Sequence, residues 1–135
     1  MTLAQSFIVY ISALFIFLVI DLAWLGLIAK RFYRQQLSSL MLDRIKWSPA
    51  IAFYLIYIIG VIVLAVIPAI NESSVSQAAL FGALLGFVSY STYDLSNLAT
   101  IKKWPIRVVV ADICWGTGLT AIISLVAYLI AQAVI

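Results

Sequence analysis

Four long apolar segments follow one another along the chain, and short polar segments separate them. The apolar segments cover approximately residues 5–29, 49–70, 76–99 and 107–134. About 20 apolar residues in a helix cross a hydrocarbon core roughly 30 Å thick. Because lipid offers no hydrogen-bond partners, a spanning segment must satisfy its own backbone, and four continuously apolar segments are too few for a barrel. The pattern predicts an all-α, four-transmembrane-helix bundle that forms a single membrane domain over residues 1–135.

Composition narrows the chemistry that such a bundle can perform. The 135 residues are 66% hydrophobic and 10% charged, against about 45–50% and 25% in soluble domains, which excludes a water-soluble globule. Histidine is absent, so the commonest general base and metal ligand is missing. A single cysteine, Cys114, excludes an intramolecular disulfide and a cysteine metal cluster. The net charge is only +3 and the basic residues lie in or beside loops, and we expect neither a nucleic-acid partner nor a cofactor.

Basic residues predict the orientation of the bundle. All eight lie in or beside the first and third polar segments: Lys30, Arg31, Arg34, Arg44, Lys46, Lys102, Lys103 and Arg107. Positive charge concentrates in cytoplasmic loops, so both termini and the loop with Glu72 are expected outside. For a bacterium this predicts an inner-membrane protein with periplasmic N- and C-termini. Trp47 and Trp104, each close to a proline, are interpreted as anchors at the cytoplasmic interface.

Three of the five acidic residues lie inside apolar segments, namely Asp21, Asp94 and Asp112. Counted from the nearest basic residue at about 1.5 Å per residue, they lie about 13, 12 and 7 Å from the cytoplasmic ends. Three carboxyls at comparable depth on three helices can converge. Each costs roughly 2.5–3.5 kcal/mol near a helix centre, so neutral donors, protonation, loop residues reaching inward or an exogenous cation must compensate.

Aromatic and amide side chains lie at the same depth as these carboxyls. The candidate site residues on the three segments are Asp21, Trp24, Tyr93, Asp94, Asn97, Asp112 and Trp115. The second segment has no acid and supplies Tyr54 and Tyr57 as hydrogen-bond partners. Together these residues predict a cytoplasm-facing pocket that has an acidic base and walls of indole and phenol rings.

Three functions fit such a pocket. The carboxyls could simply fix the bundle through hydrogen bonds. They could bind or transport a proton, an inorganic or organic cation, or a small amphipathic molecule, since aromatic faces attract cations. They could also serve a membrane enzyme that modifies a fatty-acyl or isoprenoid lipid, with one carboxyl as acid or several around a divalent metal. In the binding hypothesis Asp94 and Asp112 are the primary ligands and Asp21 the third, while Asn97 and Tyr93 orient them.

Small residues predict a close helix contact in the third segment. Gly82 and Gly86 are four residues apart, and Ala78 continues the same stripe. Such a stripe lets helices approach closely, and packing inside the bundle is favoured over a dimer seam. Four helices are thin for a transport path, so a homodimer is expected, with its seam either on this stripe or on the lipid-facing side of the second segment.

The motifs around the acidic residues resemble a known family. The strings that begin at Asp21, Tyr93, Trp104 and Asp112 read DLAWLG, YDLSNLAT, WP and DICWG. They resemble the bacterial membrane-protein family catalogued as domain of unknown function 2177 over almost the whole chain. Ser96, where relatives often carry Thr, keeps the hydroxyl. The resemblance implies a fold and no assigned activity. The resemblance also implies that the genes of relatives often lie near genes for fatty-acyl modification and oxidative-stress responses. Such a gene neighbourhood favours the hypothesis of a membrane enzyme that modifies lipids.

Overall fold

A computed structural model of the chain describes all 135 residues and contains only helices and their connections. The helices are α1 (Leu3–Ile28), α2 (Lys30–Leu37), α3 (Trp47–Asn71), α4 (Val75–Thr100) and α5 (Ile106–Val134). All except α2 are long and apolar enough to cross a membrane. The predicted all-α bundle of four transmembrane helices is therefore confirmed, and the long helices begin and end within two residues of the predicted segments.

Hydrogen bonds at the chain ends bring α1 and α5 together. The Thr2 hydroxyl accepts from the Gln5 backbone N–H at 3.2 Å, and the Gln5 side chain accepts from the Thr2 N–H at 2.7 Å. This reciprocal pair satisfies two donors that the start of a helix leaves free. The Gln5 amide also donates to the carbonyl of Val134 at 2.7 Å. The two termini therefore lie at the same end of the bundle.

Two of the long helices contain a π-helical segment. In α1 it covers Trp24–Ile28, the last five residues of the helix. In α3 it covers Ile62–Val66 and precedes Pro68, which lacks a backbone N–H and interrupts the regular hydrogen-bond ladder. π-Helical turns are uncommon in proteins and often occur at functional sites. The segment in α1 carries Trp24, a residue of the cavity described below.

Glycines allow α4 and α5 to approach each other closely. A Cβ atom on Gly82 would lie 2.6 Å from the carbonyl oxygen of Thr120, and one on Gly86 would lie 2.7 Å from the Thr120 hydroxyl. On the opposite helix, a Cβ on Gly116 would collide with the ring of Tyr90. The Gly82/Gly86 stripe therefore packs against α5 inside the chain, as the favoured interpretation of the sequence predicted. We call this contact the glycine seam.

The core and the outer surface of the bundle are both apolar. Fully buried residues such as Phe17 on α1, Ile58 on α3 and Ile123 on α5 fill the centre, and α5 contacts each of the other long helices. Large apolar side chains such as Phe7 and Leu80 point outward. An apolar exterior is what a helical bundle presents to lipid.

The short helix α2 corrects the sequence prediction, which treated residues 30–48 as a loop. Lys30, Arg31 and Arg34 are exposed, whereas Tyr33 and Leu37, four residues apart on one side of the helix, are half-buried. The helix has only eight residues, too few for a search aimed at membrane-length segments. Its apolar face turns toward the bundle, where it borders the cavity.

Candidate functional site

A cavity of about 450 Å³ lies at the end of the bundle opposite the chain termini. All five helices contribute to its wall, and eleven of its fourteen lining residues are hydrophobic. The lining consists of Asp21, Trp24, Leu25, Tyr33, Leu37, Phe53, Tyr54, Tyr57, Ser89, Tyr90, Tyr93, Trp104, Asp112 and Trp115. The set contains two carboxyls and no Lys or Arg. Its size falls in the range of about 300–1,000 Å³ that is typical of small-molecule sites.

Asp21 is held in place by two donors from other helices. The Tyr54 hydroxyl of α3 donates to Asp21 Oδ2 at 2.7 Å, and the Trp115 indole N–H of α5 donates to Oδ1 at 3.1 Å. Only 6% of Asp21 is exposed. Hydrogen bonds from neutral donors to a carboxylate reduce the cost of burying it. The neutral donors that the sequence required are thus present, and they fix the orientation of this carboxyl.

Two stacked tryptophans form one wall of the cavity. The rings of Trp24 and Trp115 lie 4.3 Å apart between centroids and 9° from parallel. The Trp24 indole N–H faces the hydroxyl of Tyr33 at 3.3 Å. Because each ring is fixed both by stacking and by a hydrogen bond of its N–H, this wall is rigid and presents an outer aromatic face.

Asp112 is connected to α2 through Tyr33. The Tyr33 hydroxyl donates to Asp112 Oδ1, and no side chain donates to Oδ2. Burial raises the pKa of Tyr33 above its usual value near 10, and the hydrogen bond to Asp112 raises it further. Tyr33 therefore remains a neutral phenol whose O–H donates a hydrogen bond to Asp112. This contact holds the short helix against the end of the bundle.

Asp94 lies outside the cavity lining and is completely buried. Its exposed fraction is 0%, and neither carboxyl oxygen has a hydrogen-bond partner. The carboxyl of Asp112 and the indole of Trp104 are its polar neighbours. The Trp104 N–H is also unpaired, and its ring packs edge-on against Tyr93 at 5.9 Å between centroids. The Asp94 carboxyl thus lies next to that of Asp112, but it does not line the cavity.

The structure brings five of the seven predicted site residues to the cavity wall. These are Asp21, Trp24, Tyr93, Asp112 and Trp115. Asp94 lies behind the wall, and Asn97 is half-buried near the Tyr93 hydroxyl without reaching a carboxyl. The orienting partners of Asp21 and Asp112 are Tyr54 and Tyr33, whereas the hypothesis assigned orientation to Tyr93 and Asn97.

Nine of the fourteen lining residues were not among the predicted site residues, and two of these, Tyr33 and Trp104, lie beside a carboxyl that the sequence singled out. Tyr33 lies in α2, and the amphipathic pattern of residues 30–37 is the signal that could have identified it. Trp104 was interpreted only as an interfacial anchor, yet it lines the cavity beside Asp94. An indole close in sequence to a buried carboxyl on the preceding helix is a signal for such a contact.

The carboxyls do not assemble into a metal centre. No group of three or more His, Cys, Asp or Glu side chains is close enough to hold a metal ion. Asp94 and Asp112 are neighbours, but the hydrogen bonds of Asp21 are directed to Tyr54 and Trp115. A divalent metal held by all three carboxyls therefore has no basis in this geometry.

Comparison with known proteins identifies one family. The family model described as "Predicted membrane protein (DUF2177)" matches residues 6–129. No curated protein and no solved structure matches the chain. The matched region includes α3 and α4, all but the outer ends of α1 and α5, and every residue that lines the cavity. Because the match covers most of its length, the chain belongs to the DUF2177 family of predicted membrane proteins.

Proposed function

We propose that this protein binds a small amphipathic organic cation in the cavity between its helices. The observation that carries the proposal is the lining itself, in which Asp21 and Asp112 stand among aromatic rings without any Lys or Arg. A carboxylate attracts the charge of a cation, and aromatic faces add to that attraction when the site is dry. The apolar remainder of the wall fits the hydrophobic part of such a ligand.

The two carboxyls have different roles in this proposal. Asp112 Oδ2 accepts no hydrogen bond, so it is free to pair with a positively charged nitrogen. Both oxygens of Asp21 already accept hydrogen bonds, so Asp21 contributes negative potential. Tyr33 and Tyr54 are positioning residues that act through the carboxyls, and the stacked pair of Trp24 and Trp115 supplies the aromatic face.

Ligand-dependent thermal stability in detergent tests the proposal. The probes are benzyltrimethylammonium and its uncharged carbon isostere, added to the wild type and to Asp112→Asn. A ligand at 100 times its Kd stabilises the native state by about 2.7 kcal/mol. We expect the ammonium ion to raise the Tm of the wild type, with little effect on Asp112→Asn. Asp43→Asn, which removes one charge from an exposed loop, is the matched control and should respond like the wild type.

Three outcomes would contradict the proposal. Equal stabilisation by the uncharged isostere would favour an apolar or lipid ligand, and with it the membrane-enzyme alternative, which a changed lipid profile in a deletion strain would then test. An unchanged response in Asp112→Asn would show that its carboxyl does not contact the ligand. A wild type that no probe stabilises would leave the carboxyls with a structural role.

The side of the membrane on which the cavity opens is part of the same proposal. We infer a bacterial inner membrane with both termini periplasmic, because all the basic residues lie at the cavity end of the bundle, in α2, in the neighbouring loops or at the start of α5, and the cytoplasmic side is enriched in positive charge. In a Cys114→Ala background, Ser39→Cys should be protected from an impermeant thiol reagent in intact cells, and Ser73→Cys should be labelled. The reverse pattern would contradict this orientation.

We also propose that the protein forms a homodimer through α3. The glycine seam is occupied within the chain, so the lipid-facing side of α3 is the surface for a second copy. Exposed residues such as Ile56 and Ile59 lie on it. Native mass spectrometry should detect a dimer that Ile56→Trp weakens, and a monomer under all detergent conditions would contradict the proposal.

A further inference from the structure

The environment of Asp94 requires a partner that the protein side chains do not supply. The residue is fully buried and neither of its oxygens accepts a hydrogen bond. An ionisable neighbour of Asp94 is another carboxyl, that of Asp112. Burying an ionised carboxylate without donors costs several kcal/mol or more, and two adjacent negative charges increase the cost. Some positive species must therefore accompany the pair.

The ionisable groups that face this pair, from the surrounding helices and from α4 itself, are all neutral or acidic. They are Asp21 from α1, Tyr33 from α2, and Tyr90 and Tyr93 from α4. From α3, Tyr54 bonds to Asp21 and Tyr57 bonds to Thr120. No Lys or Arg lines the cavity beside them. The positive species must therefore come from outside the chain.

We propose that Asp94 and Asp112 together hold one exchangeable proton, which a cation displaces when it binds in the cavity. This inference rests on the proposed function and names the ion that leaves the site when the cation binds. Two adjacent carboxyls that share one proton carry a single negative charge and titrate as a unit. The protonated Asp94 donates to Asp112, which satisfies the buried side chain, while Asp112 still accepts from Tyr33 at the cavity wall.

The exchange step balances in both atoms and charge. The positive nitrogen of the ligand approaches Asp112 Oδ2 from the cavity and favours full ionisation of the pair. The carboxyl O–H bond breaks, its electrons stay on the oxygen, and the proton passes through the cavity to water. One positive charge arrives as another leaves, so the net charge of the site is unchanged. In a medium of low dielectric constant this constraint couples the two ions strongly.

The pH dependence of ligand affinity tests this exchange. The Kd of benzyltrimethylammonium is measured by calorimetry between pH 5.5 and 8.5 in sodium-free buffers of different ionisation enthalpy. We expect the Kd to fall by about tenfold per pH unit where the pair is protonated, with one proton released per cation bound. Asp94→Asn keeps an amide donor for Asp112, so it should bind the cation without pH dependence and without proton release. Asp43→Asn should behave like the wild type.

The outcomes separate this inference from the proposed function. Binding by the wild type that is independent of pH, with no proton released, would overturn the exchange and leave cation binding intact. A steep pH dependence that persists in Asp94→Asn would also overturn it. Binding that weakens with added Na⁺ at constant ionic strength, but not with pH, would replace the proton with a metal cation. Absence of binding at every pH would overturn both proposals. Proton release by the wild type decides the matter even where Asp94→Asn fails to fold.

Discussion

The two halves of the α4–α5 pair differ in how they use their side chains. At the glycine seam, Gly82 and Gly86 bring the helix backbones together so closely that an added Cβ would meet α5. Toward the other end, the same helices carry Tyr93 and Asp112, whose side chains border the cavity. The seam stabilises the bundle by close packing, whereas the cavity depends on hydrogen bonds between bulky groups. Close packing and the proposed binding site therefore lie at separate ends of one helix pair.

The largest effect is expected from a side chain placed in the seam. Gly86→Leu forces its side chain against the Gly116 carbonyl and Thr120, and overpacking of a close contact costs about 3 kcal/mol. Unfolding of the purified variant by a denaturing detergent measures the loss. Gly118→Leu is the control, because a Cβ at Gly118 has no neighbouring atom within 4 Å. Equal losses in the two variants would show that the close contact of the seam is not needed for stability.

The sequence predicts the seam half of the molecule better than the cavity half. Close helix packing follows from the spacing of Gly82 and Gly86, because that contact depends on the absence of side chains. That Asp21 and Asp112 lie near the same end of the bundle likewise follows from helix geometry. Which donor reaches each carboxyl depends on the rotation of neighbouring helices and on the path of residues 30–46. For that reason the sequence named Tyr54 as a partner without saying of which carboxyl, and it missed Tyr33.

A smaller effect is expected where the two halves meet. The Tyr57 hydroxyl lies 2.7 Å from the Thr120 hydroxyl, and Thr120 is fully buried. Tyr57→Phe leaves that hydroxyl without its partner and should lower the free energy of unfolding by about 1–2 kcal/mol. Adding Thr120→Val should recover part of the loss, since it removes the unpaired group. Tyr128→Phe, at a buried tyrosine without a side-chain hydrogen bond, is the control. Additive losses in the double variant would argue against the bond.

On the cavity side, changes should affect binding more than stability. Trp115→Phe keeps an aromatic ring next to Trp24 but removes the N–H that donates to Asp21 Oδ1. We expect a loss of about 1 kcal/mol in stability, because Tyr54 still donates to the same carboxyl. The Kd for benzyltrimethylammonium should rise by about tenfold, since the carboxyl and the aromatic wall both lose their fixed orientation. A large loss of stability with unchanged affinity would show that this end of the bundle is also structural.

The smallest effect concerns the contact that closes the cavity end. Because burial, and then the hydrogen bond to Asp112, raises the pKa of Tyr33, its neutral form is favoured in the folded state. The stability that this gives is fully present below the pKa of the unfolded chain, near 10, and is lost as the pH rises toward the folded value. The difference in Tm between the wild type and Tyr33→Phe should therefore stay constant from pH 7 to about pH 9 and shrink above about pH 10. Parallel Tm profiles up to pH 11 would contradict a buried, hydrogen-bonded phenol. A difference that shrinks as expected would show that the Tyr33 hydroxyl holds α2 at the cavity end of the bundle. The contacts of Gly82 and Gly86 in the glycine seam include no titratable group, so their contribution to stability should not change over this pH range.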